Sequence, residues 1–172
     1  SSDVCSSDLD LVGRKMLTQK GVLFQQLMEE FSHLIQNNLE HPQLKDLFKT
    51  FEGFCETLYE VSMGSQEVIE KRGMDGVALY ATPFLMFFSS VTAGWLLLQQ
   101  AAIASEKFEK IKKDNAVIHV NTSDLLSKNE DALFYYNKIK TVGYFVECII
   151  PQFDVLITGG KKQNYDALDI TF

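Results

Sequence analysis

The sequence contains one pattern that is typical of metal-binding helices. Glu30 and His33 stand three residues apart in an amphipathic stretch, so both would lie on one face of a helix, as the carboxylate–imidazole pairs of di-iron bundles do. Such a centre needs a second Glu-x-x-His pair and two further carboxylates. His41 and His119 have no glutamate three residues before them. We therefore interpret Glu30 as a surface residue and His33 as a partly buried one, and we predict no metal site.

The cysteines and glycines offer no clearer chemistry. Cys5, Cys55 and Cys148 are far apart and form no C-x-x-C pair, and a nucleophilic cysteine or serine also needs a base and an orienting acid. Cys55 and Cys148 lie among apolar positions at helical spacing, so we predict that both are small core residues. Gly159-Gly160 follows an apolar stretch and does not resemble a phosphate-binding loop. We predict no catalytic residue and no cofactor-binding residue in this chain.

Charge and length limit the possible functions. The chain has 172 residues, a formal net charge of -7 and a pI near 4.9, which fit one acidic domain and argue against binding to nucleic acid. Its one basic cluster, Lys107, Lys110, Lys112 and Lys113, follows a long apolar stretch and is typical of a solvated helix end. Few cysteines and no recognisable signal peptide favour a reduced, cytoplasmic location.

Hydrophobic periodicity predicts an all-α fold, an antiparallel bundle of about four long helices. The first predicted helix runs from Lys20 to Asn37, and the second from Leu44 towards Arg72, before Gly73. The third is the apolar stretch that ends near Lys113. The fourth runs from Asn129 to Gly159-Gly160, with a kink at Pro151. The polar stretch 114–129 is predicted to be a long connection with a short apolar run at 117–120. Trp95 and the phenylalanines are predicted to pack in the core.

The third helix contains no charged side chain between Asp75 and Glu106. A stretch of that length raises the question of a membrane span. It includes Pro83, Gln99 and Gln100, and it stands among amphipathic helices. We therefore predict no membrane span and interpret it as a central bundle helix that its neighbours surround on most sides.

The first nine residues do not match the rest of the chain. The stretch 1–9 repeats a Ser-Ser-Asp unit and joins abruptly to a well-patterned sequence. It resembles a translated sequencing-adaptor artefact, so we predict that 1–9 is non-native and that the natural protein continues upstream of about Asp10. The remaining chain divides into a helical domain over 10–158 and a C-terminal tail over 159–172.

Four motifs, in order, resemble the C-terminal extension domain of a subgroup of acyl-CoA dehydrogenases, found for instance in 3-methylmercaptopropionyl-CoA dehydrogenases. They are Asp-Leu-Val-Gly-Arg-Lys at 10–15, similar to a family D-L-x-G-R-K; Ala78 to Leu85, similar to A-x-x-A-x-P-Y-L; Gly94 to Ala101, similar to G-W-L-L-x-x-Q-A; and Lys138 to Pro151, similar to the family's last helix. Phe84 replaces the usual tyrosine, and Val142-Gly143-Tyr144 replaces an alanine-rich stretch. These departures concern packing.

The resemblance implies that the parent is an FAD-dependent enzyme that oxidises acyl-CoA to trans-2-enoyl-CoA. Its catalytic glutamate belongs to a Glu-Gly-Thr segment expected just upstream of Asp10, so no catalytic or flavin-contacting residue is expected here. The expected role is structural: packing against the parent dehydrogenase domain or a neighbouring subunit of a homo-oligomer and shaping the acyl-CoA entrance. An exposed apolar patch would agree with that role.

Two other functions remain open from the sequence. The chain could be a free-standing helical interaction module with no enzymatic activity and no link to flavin chemistry. It could also be a membrane-associated bundle that uses the apolar stretch from Gly76 to Ser105.

Overall fold

A computed structural model describes residues 8, 10, 11, 21–114 and 122–171, and all regular secondary structure in these residues is helical. The predicted all-α class is therefore confirmed. The main helices are α1 (Val22–Gln36), α2 (Lys45–Asp114), α3 (Thr122–Lys128) and α4 (Glu130–Tyr144). A π-helical turn (Phe145–Ile149), α5 (Ile150–Leu156), α6 (Thr158–Lys161) and a 3-10 turn (Asp166–Asp169) follow.

The helix α2 is a hairpin whose turn is Gly73. This glycine has φ 67° and ψ -163°, a conformation that essentially only glycine adopts, and it separates a first arm (45–72) from a second arm (74–114). The arms are antiparallel: Phe54 lies 6.4 Å from Phe87 between ring centroids. At the open end of the hairpin, Gln43 Nε2 donates to Glu109 Oε1 at 2.5 Å. The predicted division into two helices at Gly73 is correct.

The other two long helical segments pack on this hairpin. From α1, Phe31 lies 5.4 Å from Trp95, and Phe24 lies 6.3 Å from Phe88, so α1 runs parallel to the second arm. From α4, Tyr136 lies 5.8 Å from Phe108. Further along, α5 reaches the middle of the second arm and α6 reaches its start, so this segment is antiparallel to that arm. The four segments form the predicted bundle around one core, whose fully buried members include Phe31, Phe48, Phe51, Phe87, Leu98 and Ile150.

Two helix starts are capped by side chains. Asn129 Oδ1 accepts a hydrogen bond from the Ala132 N–H at 2.9 Å, so the predicted start of the last long helix is confirmed. At the start of α2, His41 Nδ1 accepts from the N–H groups of Gln43 and Leu44 at 3.2 Å each. Sequence reasoning missed this cap, because histidine is not among the residues usually found there.

The predicted kink at Pro151 takes the form of a π-helical turn. Pro151 has no N–H, and its ring crowds the carbonyl four residues earlier. The chain widens over Phe145–Ile149, and the Ile150 N–H bonds to the Phe145 carbonyl, five residues back. The helix then continues through Pro151 to Leu156.

Several predicted boundaries differ in detail. The connection predicted over 114–129 contains α3, which packs Leu125 beside Phe108 in a second, smaller core, whereas the apolar run 117–120 lies outside the described residues. Gly159-Gly160 was predicted to end the last helix, but both residues lie inside α6. The tail lies against α2, because Tyr165 is buried there. Of residues 1–9, the structure describes Asp8, whose carboxylate accepts a hydrogen bond from the Thr82 hydroxyl.

Candidate functional site

The predicted metal-like pair lies on the surface. Glu30 and His33 are both exposed, so the prediction that His33 is partly buried is wrong. The reason is geometric: Phe31 and Ile35 hold the buried positions, and His33, two residues from each, is rotated by about 200° to the opposite face. Among the described residues, no group of three or more His, Cys, Asp or Glu side chains could hold a metal ion.

The two described cysteines differ from each other. Cys55 is buried as predicted, and burial, assisted by the negative charges of Glu52 and Glu56, raises the pKa of its thiol to about 12. Its thiol is therefore protonated at neutral pH. Cys148 is exposed, so its predicted core position is wrong. Val146 and Ile150 occupy the buried positions, and Cys148 lies midway between them on the opposite face.

The basic cluster lies at the C-terminal end of α2, as predicted. Lys107, Lys110 and Lys113 are exposed, while Lys112 Nζ lies 2.8 Å from Glu109 Oε1 and 5.7 Å from the centre of the Phe108 ring. The hydrogen bond from Lys112 lowers the pKa of Glu109. These contacts are internal to the helix end and stabilise it.

A small cleft lies at the closed end of the α2 hairpin. Its volume is about 210 Å³, and its lining includes Val61, Val77, Tyr80, Phe84, Lys161 and Tyr165. Tyr80 donates a hydrogen bond to the Asn164 carbonyl, and Lys161 Nζ lies 2.8 Å from Asp154 Oδ1, so the C-terminal residues close one side of it. Pockets for drug-sized ligands measure about 300 to 1,000 Å³. The cleft is too small for a flavin dinucleotide, and we derive no flavin chemistry from it.

One side of the second arm of α2 faces away from the core and has no charged residue of its own. It is exposed at most positions, half-buried at Ala93, and bonded to the Asp8 carboxylate at Thr82. We call it the uncharged stripe; its members are Thr82, Met86, Ser89, Ala93, Leu96, Gln100 and Ile103. They follow each other at alternating intervals of four and three residues, so they share one side of the helix. On the opposite side, residues such as Phe87 and Leu98 are fully buried in the core.

The large apolar members of the uncharged stripe are about half exposed. Met86 is 44% exposed, Leu96 47% and Ile103 55%, and no charged side chain lies between residues 76 and 105. Apolar residues at alternating intervals of three and four are the positions through which one helix packs on another. An uncharged helix side that leaves three large apolar side chains half exposed is suited to contact with another surface. The uncharged stripe is therefore the candidate functional site.

The sequence predicted that neighbours surround this helix on most sides. The first arm, α1 and the segment with α5 and α6 pack on it, and the stripe lies on its remaining side. Among the described residues, one helix, Glu67–Asp114, is long and apolar enough to cross a membrane. Its most apolar stretch of 18 residues has a mean hydropathy of 1.5, and 39% of that stretch is buried. The core helix of a soluble protein passes the same test, so this finding is weak support for a membrane span. Trp95, predicted to pack in the core, does so.

Comparison with known proteins yields one match. A family model described as "Acetyl-CoA dehydrogenase C-terminal like" matches residues 26–170, from within α1 to the C-terminal residues that pack against α2. No curated protein and no solved structure matches the chain.

Proposed function

Because this chain belongs to the acetyl-CoA dehydrogenase C-terminal-like family, we propose that it is the helical C-terminal domain of an FAD-dependent acyl-CoA dehydrogenase. In this proposal the domain acts by packing against another surface of the enzyme. The observation that carries the proposal is the uncharged stripe, an interaction face on a bundle whose described residues include no metal cluster.

The chemistry belongs to the rest of the parent enzyme. In the proposed parent a glutamate would remove the α proton of the acyl-CoA, and the bound flavin would supply the acceptor for the β hydride, giving trans-2-enoyl-CoA. In this chain, the Cys55 thiol is protonated and buried, and His33 is isolated on the surface. These features support a structural role for the domain.

The proposed packing would cover the uncharged stripe with the dehydrogenase domain or a neighbouring subunit. Covering a side chain that is half exposed, such as Leu96, contributes about 1 kcal/mol. Three such residues along one helix would hold the domain in a defined orientation. A domain held in this way could form one wall of the acyl-CoA entrance.

Two finer points also belong to the proposal. The motifs at 78–85 and 94–101 favour a parent similar to the 3-methylmercaptopropionyl-CoA dehydrogenases. The three cysteines have no pairing pattern, and the two described ones are free, which supports a cytoplasmic location.

The first test is to recover the coding sequence upstream of Asp10 from the source DNA. A Glu-Gly-Thr motif and a flavin-binding domain there would support the proposal. A start codon close to Asp10 would contradict it and favour a free-standing helical interaction module.

The second test uses the parent enzyme with an artificial electron acceptor. We expect Leu96→Glu to lower acyl-CoA dehydrogenation at least tenfold, because the charge disrupts a covered face. Leu156→Glu is the matched control, since Leu156 is also 47% exposed but lies in α5, away from the stripe. Equal activity of both variants and wild type would refute a role for the stripe.

A further inference from the structure

We propose that the cleft at the closed end of the α2 hairpin binds a small primary amine, with the apolar body of the amine inside the cleft and its ammonium group beside Glu60. On the second arm the cleft is lined by Tyr80 and Phe84, which lie on the side opposite to the stripe residues Thr82 and Met86. The site is therefore independent of the packing role proposed for the stripe.

Three parts of the chain enclose the cleft. They are the first arm between residues 60 and 68, the second arm between 76 and 84, and the C-terminal residues between 160 and 165. The walls include three valines, Phe84, and the rings of Tyr80 and Tyr165, which meet edge to face. Apolar walls with a few polar groups are typical of small-molecule sites. An engineered apolar cavity of about 150 Å³ binds benzene, so a cleft of about 210 Å³ has room for a ring with a short side chain.

Gly64 keeps one wall of the cleft open. It lies inside the first arm, where glycine destabilises a helix relative to alanine. A Cβ atom at Gly64 would meet no atom of the surrounding chain within 4 Å, so close packing does not require a glycine there. The same holds for Gly53, but Gly53 is exposed to water, whereas Gly64 is half-buried and borders the cleft. A side chain at residue 64 would take the space proposed for the amine.

The polar groups of the cleft favour a ligand that donates hydrogen bonds. The Ser65 hydroxyl donates to a backbone carbonyl of its own helix at 2.7 Å, and the Tyr80 hydroxyl donates to the Asn164 carbonyl. Each hydroxyl has one proton, so both oxygens remain available as acceptors. Gln163 and Tyr165 can donate or accept. A primary ammonium group, which has three donors and no acceptor, is suited to this lining.

Charge at the mouth of the cleft selects the same ligand. The Glu60 carboxylate is exposed there, and none of the residues that the structure describes forms a hydrogen bond or an ion pair with it. Lys161, which also lines the cleft, is paired with Asp154 at 2.8 Å. The residues four positions before and after Glu60 are Glu56 and Gly64, so its own helix supplies no cation. An ammonium group beside Glu60 therefore gains a charge-assisted hydrogen bond.

A small carboxylic acid is the alternative ligand of this size. Its carboxylate would be repelled by Glu60 and would have to compete with Asp154 for Lys161. Both effects oppose binding, so the lining distinguishes an amine from an acid by charge.

Three molecules of similar size test the class of ligand. They are the cation 2-phenylethylamine, the uncharged 2-phenylethanol and the anion phenylacetate, each titrated at neutral pH into the isotope-labelled full chain and followed by nuclear magnetic resonance. We expect saturable shifts with the amine at a dissociation constant of about 1 mM or tighter. Binding of the alcohol and of the acid should be at least tenfold weaker. No saturable binding of the amine would overturn the proposal, as would equal or tighter binding of either comparison molecule.

Removing the charge of Glu60 tests the contact with the ammonium group. Glu60→Gln keeps the shape of the side chain, and we expect it to weaken binding of 2-phenylethylamine at least tenfold. Glu56→Gln is the matched control, because Glu56 lies one turn earlier on the same arm and outside the cleft. Its affinity should equal that of the wild-type chain. An unchanged affinity of Glu60→Gln would overturn the proposal.

Filling the cleft tests the location of the site. We expect Gly64→Leu to abolish binding of 2-phenylethylamine while the helix is retained, because leucine favours helix over glycine. Gly53→Leu makes the same change on the same arm outside the cleft and should bind the amine as the wild-type chain does. Circular dichroism checks the helices of each variant, and Glu60→Gln decides the question if Gly64→Leu loses them. Binding that persists in a helical Gly64→Leu variant would overturn the cleft as the site.

Discussion

The rings of Tyr80 and Tyr165 meet edge to face, with their centroids 5.8 Å apart, where the C-terminal residues close over the α2 hairpin. Tyr165 is 8% exposed, and Tyr80 also donates a hydrogen bond to the Asn164 carbonyl. Arg72, next to the hairpin turn, lies 3.2 Å from Asp169. These contacts hold the C-terminal residues against both arms.

Removing the Tyr165 ring should therefore release this end of the molecule. We expect Tyr165→Ala to lower the free energy of unfolding by about 3 kcal/mol, because it deletes a buried aromatic side chain. Urea unfolding measures the loss, and hydrogen exchange should become faster in residues 157–171. Leu168→Ala is the control, since Leu168 is 39% exposed, and its cost should stay below about 1 kcal/mol. Equal costs would contradict this account.

The two neighbouring glycines of α6 should respond differently to the same substitution. A Cβ atom at Gly159 would lie 2.6 Å from Tyr80 Oη, whereas one at Gly160 would have its nearest neighbour, Tyr80 Cγ, at an ordinary 3.5 Å. The Tyr80 ring cannot move away without losing its contacts with Asn164 and Tyr165. We expect Gly159→Ala to cost about 1 to 3 kcal/mol. Gly160→Ala should be neutral or stabilising by up to about 1 kcal/mol, because alanine favours helix. Thermal unfolding of both variants measures the difference.

Burial of Cys55 should make stability fall at high pH. The pKa of its thiol is raised from 9.0 to about 12 in the folded chain, so between these values the unfolded chain loses a proton that the folded chain keeps. This contribution to the free energy of unfolding is intact below pH 9 and falls by about 1.4 kcal/mol per pH unit above it.

Comparison of wild type with Cys55→Ala isolates this contribution. We expect the difference in their free energies of unfolding to shrink between pH 8 and pH 10.5. A thiol reagent at pH 8 should label the exposed Cys148 at least a hundredfold faster than Cys55 in the folded chain. A pH-independent difference between the two proteins would contradict the raised pKa.

The cap at the start of α4 should be visible in a matched pair of substitutions. Asn129→Ala removes the oxygen that accepts from the Ala132 N–H, and we expect it to cost about 1 kcal/mol. Asn137→Ala makes the same change at an exposed position inside α4 and should be neutral or slightly stabilising. Asn129→Asp should restore the cap. Chemical denaturation of the three variants distinguishes capping from a general effect of alanine.

The bundle was predictable because its signals are local. Apolar residues recur at helical spacing in each long segment, and Gly73 and Asn129 mark a turn and a helix start by their own residue types. Cys148 was placed wrongly because its neighbours are apolar, and only the buried positions of Val146 and Ile150 reveal which face it occupies.

The uncharged stripe could be recognised only in part. An uncharged helix of this composition is expected both in the centre of a bundle and at an interface. Leu96 and Leu98 are the same residue type, so the sequence does not show which of them is buried. The structure separates them: Leu98 is fully buried and Leu96 is about half exposed. That difference depends on how many helices surround the second arm, which residue periodicity alone does not determine.

The Gly73 hairpin also has a kinetic consequence. Partners across the two arms are close in sequence near the turn and become steadily more distant, reaching a separation of 66 residues at Gln43 and Glu109. Loop closure costs more conformational entropy as the intervening chain lengthens, so pairs near the turn close first and each pair shortens the effective loop for the next. We therefore expect the arms to close progressively from Gly73, with the contacts at the open end forming last in folding.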